Sequence, residues 1–323
     1  MSRFREDVLG WAASGHLRPA DVPRAFQLAG AAPSLADWRR FVQSLLLWVG
    51  VVLIASGVVF FFAYNWQSLH RFGKFGLAEV LFAASLVAVW RFGIDHAAGK
   101  AALLLAALLT GALLALYGQT YQTGADAYEL LAAWAGLILP WVLVSRFGPL
   151  WLLWVGLLNL AVGLYAEAMP RGLLGIVFGS SAGMWSLLLL NTIALAAWEF
   201  GLARGVAFLS RWGARALGVM SGGFATAIGV LAIAGDDLYA PLGFPACLAW
   251  LVAVYLYYRY RILDVFMLSG GVLSLVILSA TFLGKHLLRN GDAAGFLLIG
   301  LVVIAISGAG AWWIRRTLQE RTV

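Results

Sequence analysis

The stretch "YGQTYQTGADAYELLAAWAGLILP", residues 117–140, opens polar and glycine-rich, carries no cation, and passes into an apolar run of helical length. A second apolar run, "KAALLLAALLTGALLALYG", residues 100–118, leads into it from the other side. Each run matches the roughly 20 residues that cross a hydrocarbon core of about 30 Å as a helix. The polar segment therefore reads as a turn at a membrane surface, and the fold follows from applying that reading outward in both directions.

The chain is 323 residues long, 63% hydrophobic and only 11% charged, with a mean hydropathy of +0.89. Soluble domains carry about 25% charged residues, so this composition predicts an all-α, polytopic transmembrane bundle. Ten spans are expected, at 41–64, 74–92, 100–118, 127–145, 149–167, 183–203, 213–234, 242–259, 262–283 and 293–314. Residues 170–183 are too short to cross and read as an interfacial or re-entrant segment, which leaves nine or eleven crossings open.

Residues 1–38 differ in kind. They hold four acids and four arginines, and "SGHLRPADVPR" reads as the turn of a short helical hairpin. Phe4, Val8 and Trp11 share one face of its first helix, which Gly15 is placed to end. Asp21 can cap the second, on which Val22, Phe26 and Ala29 share a face. Helices this short are marginal alone, so the hairpin is expected to dock a protein partner or to support a homo-oligomer. The domain division is thus a hairpin at 1–38 and a transmembrane domain at 39–323.

The cations orient the bundle, because positively charged loops stay cytoplasmic. Ten spans place 17 Lys and Arg on the side of both termini, among them Arg3, Arg40, Arg91, Arg146, Arg204, Arg211, Arg215, Arg259 and Arg316, and 5 on the other: Arg71, Lys74, Arg171, Lys285 and Arg289. Both termini are expected in the cytoplasm. Residues 117–129 and the Asp236–Asp237 loop then face outward, and neither carries a cation. No cleavable signal peptide is expected, since the first forty residues lack an apolar core.

The net charge of +7 lies at the ends of apolar runs rather than in a basic patch, so no nucleic-acid partner is expected. The bilayer is. Cys247 is the only cysteine and excludes an intramolecular disulfide or a cysteine metal cluster. No Walker loop, dinucleotide glycine fingerprint or His-Glu zinc helix is present, so no cofactor or metal is expected. His16, His70, His96 and His286 are scattered. "GSSAG" at 179–183 matches G-x-S-x-G around Ser181 but lacks the strand-turn-helix context that motif needs.

Small-residue rows such as Gly218, Gly222, Ala225 and Gly229 serve close helix packing in lipid. Pro140 breaks the ladder of its span. Tryptophans near span ends, including Trp38, Trp66, Trp212, Trp312 and Trp313, form an aromatic belt. No internal repeat supports an inverted-repeat transporter.

Polar residues within or beside spans are the candidate site, because an ionisable group in lipid faces a cavity or a partner. Glu79, Gln119, Tyr121, Gln122, Asp126 and Glu129 share the outer level, with Asn65, Trp66, Tyr165 and Glu167, and are expected to line an outward polar vestibule. Asn159 and Asn191 lie at mid-membrane. Two alternatives stand beside the vestibule: Asp126 as a helix cap with Gly118 and Gly124 as turn residues, and Glu79 in an ion pair with Arg71 or Lys74. The expected function is a non-catalytic scaffold or sensor, with a transporter or permease using the vestibule as the alternative.

The hairpin, "FFFAYNW" (Phe60–Trp66) and "YGQTYQTGADAYELLAAWAGLILP" together resemble a family of uncharacterised bacterial membrane proteins, domain of unknown function 2157 (DUF2157). The resemblance covers the amino-terminal half. It implies a multi-pass architecture in the bacterial cytoplasmic membrane and a recurring Gly-Gln-x-Tyr-Gln element, matched by Gly118, Gln119, Tyr121 and Gln122, and implies no activity.

Overall fold

The computed structural model describes residues 2–28, 34–64, 70–170, 172–178, 181–235, 239, 241–288 and 293–320, with side chains omitted at 2–6, 27, 174, 177 and 178. Ala29, Asn65, Trp66, Arg171, Gly179, Asp236, Asp237, Arg289 and the Phe4 side chain lie outside the described residues. Every described element is helical, and the chain falls into two compact units, Met1–Thr120 and Tyr121–Val323.

The first unit begins with the hairpin: α1 (Ser2–Ala13), a 3₁₀ turn (Pro19–Asp21) and α2 (Val22–Leu28). Gly15 ends α1 at φ +76°, and the amides of His16 and Leu17 return to the Trp11 carbonyl at 2.9 and 3.1 Å. The left-handed turn costs glycine nothing, whereas a Cβ there is disfavoured. Val8 is buried in the closed hairpin, while Leu9 and Trp11 are about half exposed. Asp21 lies in the 3₁₀ turn immediately before α2.

The long helix α3 (Leu35–Tyr64) starts six residues before the expected span. Ser34 explains the early start, because Ser34 N and Oγ both donate to Asp37 Oδ2 while Asp37 N donates to Ser34 Oγ. That reciprocal cap satisfies orphan amides at the helix start. Then follow α4 (Arg71–Phe92), capped by His70, and α5 (Ala97–Tyr121). Phe62, Ala78 and Leu116 form a small core among α3, α4 and α5.

In the second unit α6 (Ala127–Ser145) packs on α7 (Gly148–Ala168), and α7 on α9 (Ala182–Ala203). The six-residue α8 (Leu173–Phe178) is too short to cross, as expected of residues 170–183. Pro140 sits inside α6, where its ring displaces the carbonyl four residues back. One residue before that point, Trp154 Nε1 of α7 donates to the Ala135 carbonyl at 3.1 Å and ties the two helices together.

The organising element is α10 (Arg211–Ala234), which packs on α9, on α11 (Gly243–Leu256) and on α12 (Val265–Leu287); α13 (Ala293–Gln319) lies against α12. Small residues permit these approaches. A Cβ on Gly218 would stand 2.2 Å from Met267 Cε, and one on Gly222 would stand 2.9 Å from the Trp250 ring. Gly310 of α13 likewise meets Val272 of α12.

Nine described helices are long and apolar enough to cross a membrane. A tenth run differs from a plain helix, since α11 continues as a π-helical turn at Tyr257–Arg261 and reaches crossing length only with it. Large apolar side chains such as Phe60, Trp90, Leu297 and Ile304 stand more than 70% exposed around the bundle. No aqueous surface tolerates such residues at this density, and hydrocarbon does. The chain is an integral, multi-pass membrane protein.

Candidate functional site

Glu79 is exposed on α4 and makes no ion pair among the described residues. Gln119 and Tyr121 are exposed on the last turn of α5. Gln122 follows in the left-handed region at φ 46°, as does Gly124 at φ +67°. Asp126 is the N-cap of α6, and Glu129 closes a capping box by accepting from the Asp126 amide at 3.3 Å. Tyr128 O–H lies 3.4 Å from Glu129 Oε1, and its ring meets that of Tyr165 edge-on. Tyr165 Oη in turn accepts from the Leu173 amide at 3.2 Å and holds the start of α8. Turn and capping chemistry thus uses Asp126, Glu129 and Gly124 locally.

At mid-membrane Asn159 and Asn191 meet. Each amide nitrogen donates once to a carbonyl four residues back, Val155 for Asn159 and Leu187 for Asn191, both at 2.8 Å. Each donates a second time to the other's Oδ1, at 3.2 and 2.5 Å. Both Nδ2 hydrogens on both residues are therefore spent, and both side chains are buried. The pair fastens α7 to α9.

The densest polar constellation lies elsewhere, where α9, α10, the π turn and the start of α12 converge. Arg211, the first residue of α10, directs Nη1 at Glu199 Oε1 and Oε2 (2.8 and 2.7 Å) and Nη2 at Asp264 Oδ2 (2.9 Å). Arg215, one turn later, donates from Nε to Asp264 at 3.1 and 3.3 Å. Tyr258 is fully buried and donates to Glu199 Oε1 at 2.7 Å. Asp264 also caps α12, accepting from the amides of Phe266 and Met267. Trp198 lies flat enough on Gly213 that a Cβ there would clash, and donates from Nε1 to the Ser210 carbonyl.

Two carboxylates are almost wholly buried here while the guanidiniums stay one-third and two-fifths exposed. Burial pushes the Asp264 carboxyl up, but the bonds from Arg211 and Arg215 and the Met267 amide outweigh it and hold it below the ordinary carboxylate range. The cluster is neutral overall, with each buried charge bonded to an opposite one, the condition under which charge is tolerated in a bundle.

Sequence reasoning did not single out Glu199, Tyr258 or Asp264. The signal was present: Glu199 lies inside the expected span 183–203 and Asp264 inside 262–283, and an acid within a span is itself the marker of a buried partner. The histidines serve locally. His70 caps α4, His286 Nδ1 lies 2.8 Å from the Phe282 carbonyl, and His16 Nδ1 lies 2.8 Å from Ser14 Oγ. Ser181 directly precedes α9. Among the described residues no group of three or more His, Cys, Asp or Glu side chains is gathered for a metal.

Residues 9–151, from within α1 to the first turn of α7, match the family model described as predicted membrane protein (DUF2157). The match contains the hairpin from residue 9 onward and the whole polar turn between α5 and α6. No curated protein and no solved structure matches the chain.

Proposed function

We propose that the protein is a non-catalytic membrane scaffold or sensor, lying in the cytoplasmic membrane with both termini on the cytoplasmic side. The hairpin of residues 1–38 presents Leu9 and Trp11 to a protein partner, and the turn around Gln119, Tyr121 and Gln122 meets an envelope component on the far side. The observation that carries this reading is the closed amide pair of Asn159 and Asn191. A permeation path needs polar groups with spare hydrogen-bonding capacity at mid-membrane, and the two best-placed residues donate every amide hydrogen to each other and to their own helices.

The test combines recovery and flux. The full chain, cross-linked in native membranes and purified, is expected to bring down a defined protein that is lost with Trp11→Ser at unchanged abundance. In proteoliposomes it is expected to move neither ions nor small solutes above the empty-vesicle rate. Protein-dependent flux that Glu79→Gln or Gln119→Ala abolishes would overturn the scaffold reading in favour of transport.

A further inference from the structure

A cavity of about 620 Å³ runs along the line where α10 meets α12, with Trp250 of α11 closing its side. Its walls on α10 extend from Gly218 to Leu231, a rise of roughly 20 Å. One leaflet of a bilayer contributes about 15 Å of hydrocarbon. The walls are apolar in effect as well as composition. Ser274 donates to the Gly270 carbonyl at 3.1 Å, and Thr226 Oγ1 lies 2.7 Å from the Gly222 carbonyl and 2.8 Å from Ser274 Oγ, so its one hydrogen has an acceptor either way. Gly223 and Gly270 leave open space where side chains would otherwise stand.

A guanidinium stands beside one end of this groove. Phe266 lines it, and the Arg215 guanidinium lies over the Phe266 ring, 5.7 Å from its centroid. On α10, Arg215 falls on the face of Gly218, Val219 and Gly222, at spacings of three, four and seven residues. Its Nε is held by Asp264, while its two terminal nitrogens donate to no protein group among the described residues. The side chain is two-fifths exposed. The Asp264 bond therefore fixes the fork and leaves four N–H donors next to Phe266, which lines that end of the groove.

We propose that the groove between α10 and α12 binds one phospholipid with an anionic headgroup, its phosphate on the terminal nitrogens of Arg215 and one acyl chain along Gly218, Gly222, Gly223, Gly270 and Ser274. Planar guanidinium donors match phosphate oxygens in pairs, and a headgroup without a cation of its own avoids the repulsion that choline would meet beside Arg215. The depth of the groove selects an acyl chain over a soluble anion. The site stands independently of the scaffold reading.

The experiment uses the purified full chain, delipidated in a neutral detergent, with thermal unfolding followed as lipid is titrated. Phosphatidylglycerol is expected to raise the midpoint at least fivefold lower in concentration than phosphatidylcholine, since one arginine at a membrane surface contributes about that factor. Arg215→Gln should erase the preference between the two lipids while both still stabilise weakly. Gly223→Leu with Gly270→Leu fills the groove from open positions and, by helix propensity, favours the folded helices; it should lose at least fivefold in the phosphatidylglycerol titration. Inorganic phosphate alone should do nothing. Equal titration by the two lipids, an unchanged preference in Arg215→Gln, an unaffected double-leucine variant, or stabilisation by phosphate alone would each overturn the proposal.

Discussion

Tyr258 donates its hydroxyl hydrogen to Glu199 Oε1 at 2.7 Å, and Arg211 reaches the same oxygen at 2.8 Å. The two donors come from opposite directions in sequence, one from the π turn after α11 and one from the first residue of α10. A π turn widens a helix by one residue and re-aims what it carries, and here it carries the one fully buried tyrosine of the cluster. Four helical elements are thereby fastened at a point that apolar packing alone cannot specify, because lipid competes equally for apolar side chains.

Removing the hydroxyl should loosen that point without removing a charge. Tyr258→Phe leaves a buried carboxylate one donor short and should cost about 1–3 kcal/mol. Glu199→Ala should cost more, near the ~3–5 kcal/mol of a broken buried pair less what Arg211 retains through Asp264. Unfolding midpoints of the purified variants in one detergent would rank them, and a Glu199→Ala variant as stable as wild type would show the cluster to be dispensable.

Acid should release the same fastening through Asp264. Its folded pKa lies below the ordinary 3.8, so the stability it supplies is complete above that value and is lost as pH falls through the depressed one. Stability of the wild type should hold down to about pH 4 and then drop. Asp264→Asn should be less stable at neutral pH and show a smaller drop on acidification. The comparison of midpoints across the acid range checks the sign directly.

Much of this architecture was legible, and the exceptions have identifiable causes. Expected span 127–145 coincides with α6 because its signals are local: the Asp126–Glu129 cap at one end and left-handed Arg146 at the other. Expected span 41–64 begins after Arg39 and Arg40, whereas the Ser34–Asp37 cap starts the helix in front of them. The π turn after α11 leaves no trace in hydropathy. Among site residues, Asn159 and Asn191 announced themselves as deep polar groups, but their pairing across 32 residues did not follow from either sequence neighbourhood. The ionic cluster was hidden for the same reason, as its members come from α9, α10, the π turn and the cap of α12.

The capping box should be separable from any ligand role at the outer turn. Glu129→Gln keeps an acceptor for the Asp126 amide and should be nearly neutral, whereas Glu129→Ala should cost about 0.5–2 kcal/mol. Gly124→Ala, at φ +67°, should cost about 1–2 kcal/mol through its backbone alone. Equal loss in Glu129→Gln and Glu129→Ala, read from unfolding midpoints, would mean that the carboxylate charge itself matters there.

The amide pair gives the sharpest test of what holds α7 to α9. Asn191→Leu strands the Asn159 Oδ1 and one of its hydrogens in a buried site, and Asn159→Leu does the converse. Replacing both removes the stranded groups together, so the double variant should lose less than the two singles added. Interhelical hydrogen bonds in membranes average about 0.6 kcal/mol and reach about 1.7 kcal/mol. A reciprocal pair with every amide hydrogen used belongs near the upper figure. A double-mutant cycle on unfolding free energies in a fixed detergent measures this coupling, and a value near zero would mean that water already satisfies one asparagine when the other is gone. That result would reopen mid-membrane hydration, and with it the transport reading, because a site that admits water on loss of one side chain is not sealed by packing.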